Sequence, residues 1–144
     1  MMKSIRILPL LLALLLLVSA CGTKESTAAA PAGVDLDLTA LSSTMVYSEV
    51  YNMLYTPEDY EGKTVKMEGT FAVYEGANRN YYTCIISDAA ACCAQGIEFE
   101  WAGEHTYPQD YPMVDQIVEV TGVFHSYEED GQRYCELTNA VLNF

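Results

Sequence analysis

Basic residues are scarce in this chain. Seven Lys and Arg stand against 20 Asp and Glu among 144 residues, and no Lys or Arg falls between Arg79 and Arg133. Nucleic-acid binding depends on Lys/Arg neutralising phosphates, so this balance argues against a nucleic-acid partner. It also argues against adhesion of the folded part to an anionic membrane surface. There is no C-x-x-C pair, no Gly-rich phosphate loop, no nucleophile elbow and no metalloprotease signature, so no common catalytic template is offered. The two histidines lie apart, His105 in a polar loop and His125 alternating outward from Phe124, and both read as surface residues. Glu98 and Glu100 share a strand face with apolar alternation around them, which describes a solvated face better than an acid–base pair. A non-enzymatic protein is the expectation.

No apolar run is long enough to span a bilayer, which takes about 20 residues. The run Ile7–Val18 is shorter, carries Pro9, follows the basic start Met1–Arg6 and ends in small residues. That is the layout of a secretory signal. Its ending Val18-Ser19-Ala20-Cys21 resembles a bacterial lipobox. The resemblance implies cleavage after residue 20, lipid on Cys21, and a protein held on the extracytoplasmic face of a bacterial membrane. Several acyl chains at roughly 0.8 kcal/mol per buried CH₂ make such an anchor permanent. Residues 22–42 are small, polar and Ala/Thr/Ser-rich, and read as a flexible tether reaching roughly 25 Å. Loss of Lys3 and Arg6 with the signal leaves five basic residues against 20 acidic ones, a net charge of −15. Such a surface is compatible with cations, peptides or neutral sugars.

What remains, residues 43–144, suffices for one domain with one core. All eleven tyrosines, all four phenylalanines and Trp101 lie there, a composition that favours β structure. The stretch from Ser43 to Tyr55 has apolar residues at 46, 50, 53 and 54 after a Ser/Thr cap, which predicts a helix. Two echoing stretches follow. Pro-x-Asp-Tyr occurs at 57–60 and 108–111, offset by 51, and Val-x-x-x-Gly-x-Phe-x-x-Tyr-Glu at 65–75 and 118–128, offset by 53. Beyond each hairpin turn an offset of 51 would match Cys84 with Cys135. Each unit reads as an alternating hairpin with one buried face, and Gly69 and Gly122 mark a bulge or tight bend in mid-strand. A fifth strand, 96–101, lies between the units.

Five strands with mid-strand glycines suggest a small closed barrel. The pattern Tyr60-x-Gly-Lys-Thr-Val-x-x-x-Gly-x-Phe71 resembles the opening of OB-fold domains. The chain from Thr44 onward is similar to an uncharacterised bacterial lipoprotein family with a Cys-Cys-Ala-Gln-Gly-Ile-Glu-Phe motif, here Cys92 to Phe99. The resemblance implies a mainly β, OB-like, five-stranded barrel with an N-terminal helix, and supplies no catalytic residue. One departure from the usual OB pattern is visible. Residues 102–116 show no clear helix, whereas Asp88–Gly96, with an Asp cap, an alanine run and a terminal Gly, predicts a short helix before the third strand.

Four cysteines remain beyond Cys21. Alternation aims Cys84 (with Tyr82 and Ile86) and Cys135 (with Leu137 and Val141) inward. An even count outside the cytoplasm first suggests two disulfides, one of Cys92 and Cys93 pairing with Cys84 and the other with Cys135. The same four thiols could instead converge on a tetrahedral zinc ion, with Asp88 as an extra ligand. Redox-active thiols are the weakest alternative, because the surroundings are acidic. The aromatic residues Tyr74, Tyr81, Trp101 and Tyr127 near strand ends are candidates for a ligand face, since OB-like folds bind at the barrel rim. The reading is a lipid-anchored binding or scaffolding module whose partner is an envelope protein, peptide, glycan or metal ion, with no cofactor unless zinc.

Overall fold

The structure, a computed structural model, describes residues 33–144; the expected signal sequence (1–20), Cys21 and the expected tether up to residue 32 lie outside the described residues. The tether ends sooner than its composition suggests. Val34 to Leu38 alternates apolar and polar residues, and this alternation lets a short strand β1 (Leu36–Asp37) run parallel to the next strand, with Leu36 beside Val65. The Asp35 amide donates to the Thr64 carbonyl and the Thr64 amide to the Asp35 carboxylate, both at 2.8 Å. A single 3₁₀ turn, Leu38–Ala40, then buries Leu38.

Helix α1 (Ser43–Tyr55) follows as the spacing predicts, burying Val50 and Met53 and half-burying Val46 and Leu54. Ser42 precedes it in extended conformation without a side-chain cap bond. The remaining strands are β2 (Thr64–Glu75), β3 (Asn80–Ser87), β4 (Ala94–Trp101), β5 (Ile117–Glu129) and β6 (Gln132–Asn143). Among the described residues they form, with β1, one six-stranded mixed sheet of order β1-β2-β3-β4-β6-β5, in which β2 also pairs with β5. The chain is mainly β, but the sheet is not the regular closed barrel that the strand count suggests. The parallel β4–β6 seam shifts register between Phe99 and Trp101, and β5–β6 shifts between Thr121 and Val123.

Both mid-strand glycines sit where the sheet folds tightly. A Cβ on Gly69 would stand 2.5 Å from the Ile85 carbonyl oxygen, at the point where β2 passes from β5 to β3. A Cβ on Gly122 would meet the Leu137 Cβ and the Thr138 carbonyl at 2.9 Å. One large apolar cluster fills the interior, with Phe71, Phe124, Met67, Ile97 and Leu137 fully buried. Each such side chain contributes about 1.5–3 kcal/mol of burial free energy.

The duplication is real in geometry but its register differs from the sequence echo. Pro57 and Pro108 each accept a bond at their carbonyl from the amide of the motif tyrosine, Tyr60 at 2.9 Å and Tyr111 at 3.3 Å. Each tyrosine packs on the other unit's phenylalanine: Tyr60 lies 6.0 Å from Phe124 and Tyr111 6.1 Å from Phe71. The Phe71 backbone exchanges bonds with Asp115 and Gln116, as Phe124 does with Gly62 and Lys63, all at 2.8–2.9 Å. Gly62 and Asp115 both take positive φ there, +79° and +70°. Met67 pairs directly with its own counterpart Val120, so a local two-fold axis runs between them.

In the hairpins, Phe71 pairs with Cys84 but Phe124 with Leu137, and Tyr74 with Tyr81 as Tyr127 with Tyr134. The offset therefore stays at 53 through the second strands. Cys84 corresponds to Leu137, not Cys135, because the four-residue turn 76–79 is matched by one extra ladder rung, Glu129 to Gln132, around a two-residue turn. Val141 is exposed rather than sharing the Cys135 face. Asn139 takes positive φ (+49°), an irregularity that returns Ala140 and Leu142 to the core.

Candidate functional site

Cys84 and Cys135 do point inward. Cys84 is fully buried, and burial pushes its thiol up to about 12. Cys135 lies beneath α1, its thiol donating to the Met53 carbonyl at 3.9 Å, and burial raises it to about 11. Cys92 and Cys93 are elsewhere, exposed in the β3–β4 turn. All four are free thiols, so the expected pairs joining Cys84 and Cys135 to the adjacent cysteines are not made. Two sulfurs stand inside the core and two on the surface.

Nor does Asp88–Gly96 form a helix. Ser87 pairs with Ala94, making residues 88–93 a hairpin turn closed by the Asp88 amide donating to the Cys93 carbonyl at 2.9 Å. Ala91 takes φ +53°, which ends the nascent turn that its amide makes with the Asp88 carbonyl. The Asp88 side chain serves the loop instead of a helix. Its Oδ1 accepts the amides of Cys92 (2.9 Å) and Cys93 (3.4 Å), and its Oδ2 accepts the Cys92 thiol at 3.1 Å. These bonds, the Cys92 thiol's foremost, hold the Asp88 carboxyl below its usual range. The Cys92 thiol is raised by the Asp88 carboxylate and then by Cys93, whose sulfur is 3.6 Å away.

The second site is the face where the two hairpin tips meet. Tyr74 and Tyr81 are cross-strand neighbours on the first hairpin, and Tyr127 and Tyr134 on the second, with Tyr127 and Tyr134 stacked at 5.6 Å. Arg79, in the first turn, joins the two. Its Nη2 donates to the Tyr127 hydroxyl at 2.9 Å and lies 3.7 Å from the Glu129 carboxylate. Its guanidinium rests 4.4 Å above the Tyr81 ring and 5.4 Å from that of Tyr127. Tyr81 and Tyr127 in turn donate to Glu129 and Glu98, each at 2.7 Å. Loss of solvent raises the Glu98 carboxyl, and the Glu136 carboxyl as well.

Beside this network opens a cavity of about 480 Å³, lined by Tyr74, Tyr81, Glu98, Glu129, Arg133 and Tyr134 among others. Three of the four aromatic candidates thus share one region. Trp101 does not join them. It stacks flat on His105 at 3.5 Å and meets Tyr111 and Phe144 edge-on, under the loop that precedes β5. Arg79, Glu129 and Tyr134 were not evident from the sequence, and Glu98, expected on a solvated face, is half-buried and accepts from Tyr127. The repeated Tyr–Tyr rung is the available signal, and it lies at an offset of 53, not the 51 that relates the cysteines.

Among the described residues, no helix is long and apolar enough to cross a membrane. Comparison with protein-family models, with characterised proteins and with solved structures finds no match to this chain.

Proposed function

We propose that the protein is a non-enzymatic binding module, held by lipid on Cys21 at the extracytoplasmic face of a bacterial membrane. Its ligand is a cationic peptide segment of an envelope partner, received on the tyrosine–carboxylate face. The observation that carries this reading is Arg79. A guanidinium already lies between Tyr81, Tyr127 and Glu129, with the geometry in which aromatic rings and a carboxylate hold a cation. The neighbouring cavity repeats those ingredients, with Tyr74, Tyr134, Glu98 and Asp130 in its walls.

The strand order supports the same place. A ring β2-β3-β4-β6-β5 with β4 parallel to β6 resembles the OB arrangement, whose ligands lie on the second and third strands between the two hairpin loops. Here those elements are β3, β4 and the turns at 76–79 and 130–131. The excess of acidic residues steers cations toward it. Zinc held by all four cysteines is the less favoured reading, since Cys84 and Cys135 are packed in the core and Cys92 and Cys93 are not.

Binding of Arg/Lys-rich peptides to the full-length protein, followed by fluorescence polarisation, tests the reading. Tyr81→Ala and Glu129→Gln each weaken binding about tenfold, which is about 1.4 kcal/mol. Arg79→Ala strengthens it by vacating the cleft. Peptide binding indifferent to all three changes, or binding of neutral glycans alone, would overturn the assignment.

A further inference from the structure

The turn between β3 and β4 holds side chains that the binding face does not use. Cysteine is among the most buried residue types, and an exposed one is kept for its chemistry more often than for packing. Here two free cysteines adjoin in an exposed turn. Their sulfurs lie 3.6 Å apart, and the Cys92 sulfur is 3.1 Å from Asp88 Oδ2. One donor atom from each of Asp88, Cys92 and Cys93 falls within 4.8 Å of the others. Asp88 Oδ1 accepts the two backbone amides and fixes the carboxylate's orientation. Oδ2 and the two sulfurs are left facing one another.

The geometry points to a metal site in this turn, in which Asp88, Cys92 and Cys93 bind a zinc-like divalent ion and leave a fourth position open to water or a ligand group. Two sulfurs on a tetrahedral zinc at about 2.3 Å stand about 3.8 Å apart, and a sulfur and a carboxylate oxygen about 3.5 Å. Two of the separations are 3.6 and 3.1 Å and the third lies within 4.8 Å, so the ion enters by a small adjustment of the three donors. Each bound ion displaces one proton from each thiol, which go to solvent, and no electron is transferred. Two thiolates and a carboxylate suit a borderline-soft cation better than calcium or magnesium, which take oxygen ligands. The paired strand ends, Ser87 with Ala94, make the loop a preformed scaffold. No Lys or Arg in the surrounding chain competes for the site, since none occurs between Arg79 and Arg133.

The test uses full-length protein purified under reducing conditions and exposed to Zn²⁺ or Cd²⁺ alone, with stoichiometry read by native mass spectrometry and affinity by chelator competition. One ion per chain is expected, with a cadmium–thiolate charge-transfer band in the ultraviolet. Cys92→Ser with Cys93→Ser abolishes both while leaving the circular dichroism spectrum unchanged. Asp88→Asn, whose amide oxygen can still accept the loop amides, keeps the fold and weakens affinity by more than the roughly 10–100-fold that loss of an outer-sphere partner costs. The proposal is overturned if no ion binds. It also fails if binding survives the double serine variant. A parallel preparation without reductant whose chain is two hydrogens lighter, with Cys92 and Cys93 joined as a disulfide, would overturn it in favour of a redox pair.

Discussion

The two hairpin units share a backbone frame and differ in what they carry. Each has a one-turn Pro-x-Asp-Tyr lead, a tyrosine crossing to the opposite phenylalanine, a mid-strand glycine and a Tyr–Tyr rung. The first unit's phenylalanine is the hub of an aromatic group. Phe71 lies 6.1–6.3 Å from Tyr82, Phe99 and Tyr111. Among the described residues Phe124 has one such neighbour, Tyr60. The first unit also runs on into β4 through the Asp88–Cys93 turn, whereas the second ends with β6. Shared positions thus build the frame, Cys84 and Leu137 among them, and the unshared ones carry Arg79, Cys92 and Cys93.

Substituting the equivalent phenylalanines breaks the comparison most severely. Phe→Ala in a core costs about 3–5 kcal/mol, and both variants are expected in that range by urea denaturation. Phe71→Ala falls at the upper end, because aromatic pairs add about 0.5–1.5 kcal/mol beyond area. Equal losses at the two sites would show that frame position alone, not ring contacts, sets the cost.

The frame was legible in the sequence for a physical reason. Alternation, Gly69 and Gly122 are backbone requirements, and they leave a period-two signature. The helix face of Val50, Met53 and Leu54 was legible likewise. The site was not. The run Asp88-Ala-Ala-Ala has helix composition, yet six residues joining paired strands cannot complete a helix, and one positive φ at Ala91 decides the matter. Shared cysteines suggested an offset of 51, but ladder pairing keeps 53 through β3 and β6, so chemical identity misled where turn length ruled. Long-range partners such as Arg79 with Glu129 depend on how the hairpins cross, which local patterns do not encode.

The thiols sharpen the contrast, since Cys84 corresponds to Leu137 and so sits in an apolar slot. An alkylating reagent at pH 8 is expected to label Cys92 and Cys93 readily, Cys135 slowly and Cys84 only on unfolding, as read by peptide mass mapping. The pH dependence follows. A thiol raised to about 12 (Cys84) or about 11 (Cys135) keeps its proton in the fold while the unfolded chain loses it near pH 8.5. The folded state then holds more protons, so stability is full below about pH 8.5 and falls as pH rises through the folded values. Each thiol contributes a slope of about 1.4 kcal/mol per pH unit in its window. Tyr60 and Tyr111, both raised to about 12 first of all by burial, add to the loss above about pH 10. Cys84→Ala is expected to flatten the alkaline limb more than Cys135→Ala.

The smallest effect probes the axis itself. Lys66 and Glu119 occupy equivalent positions flanking the Met67–Val120 rung, and their side chains meet at 2.8 Å. Partly exposed pairs of this kind contribute little and are screened by salt. Lys66→Glu or Glu119→Lys alone places like charges across the axis and lowers the thermal midpoint slightly at low salt. The double swap restores opposite charges at the same two places. Were the axis perfect, the swapped pair would equal the original. It is not perfect, because Asp37 on β1 and Glu68 both act on position 66, and β1 flanks β2 only. A glutamate at 66 meets two like charges there, so the double swap should recover only part of the loss. Raising the salt concentration should erase the difference. Full recovery at low salt would mean that β1 contributes no electrostatic asymmetry, and that the two units are closer copies than their surroundings suggest.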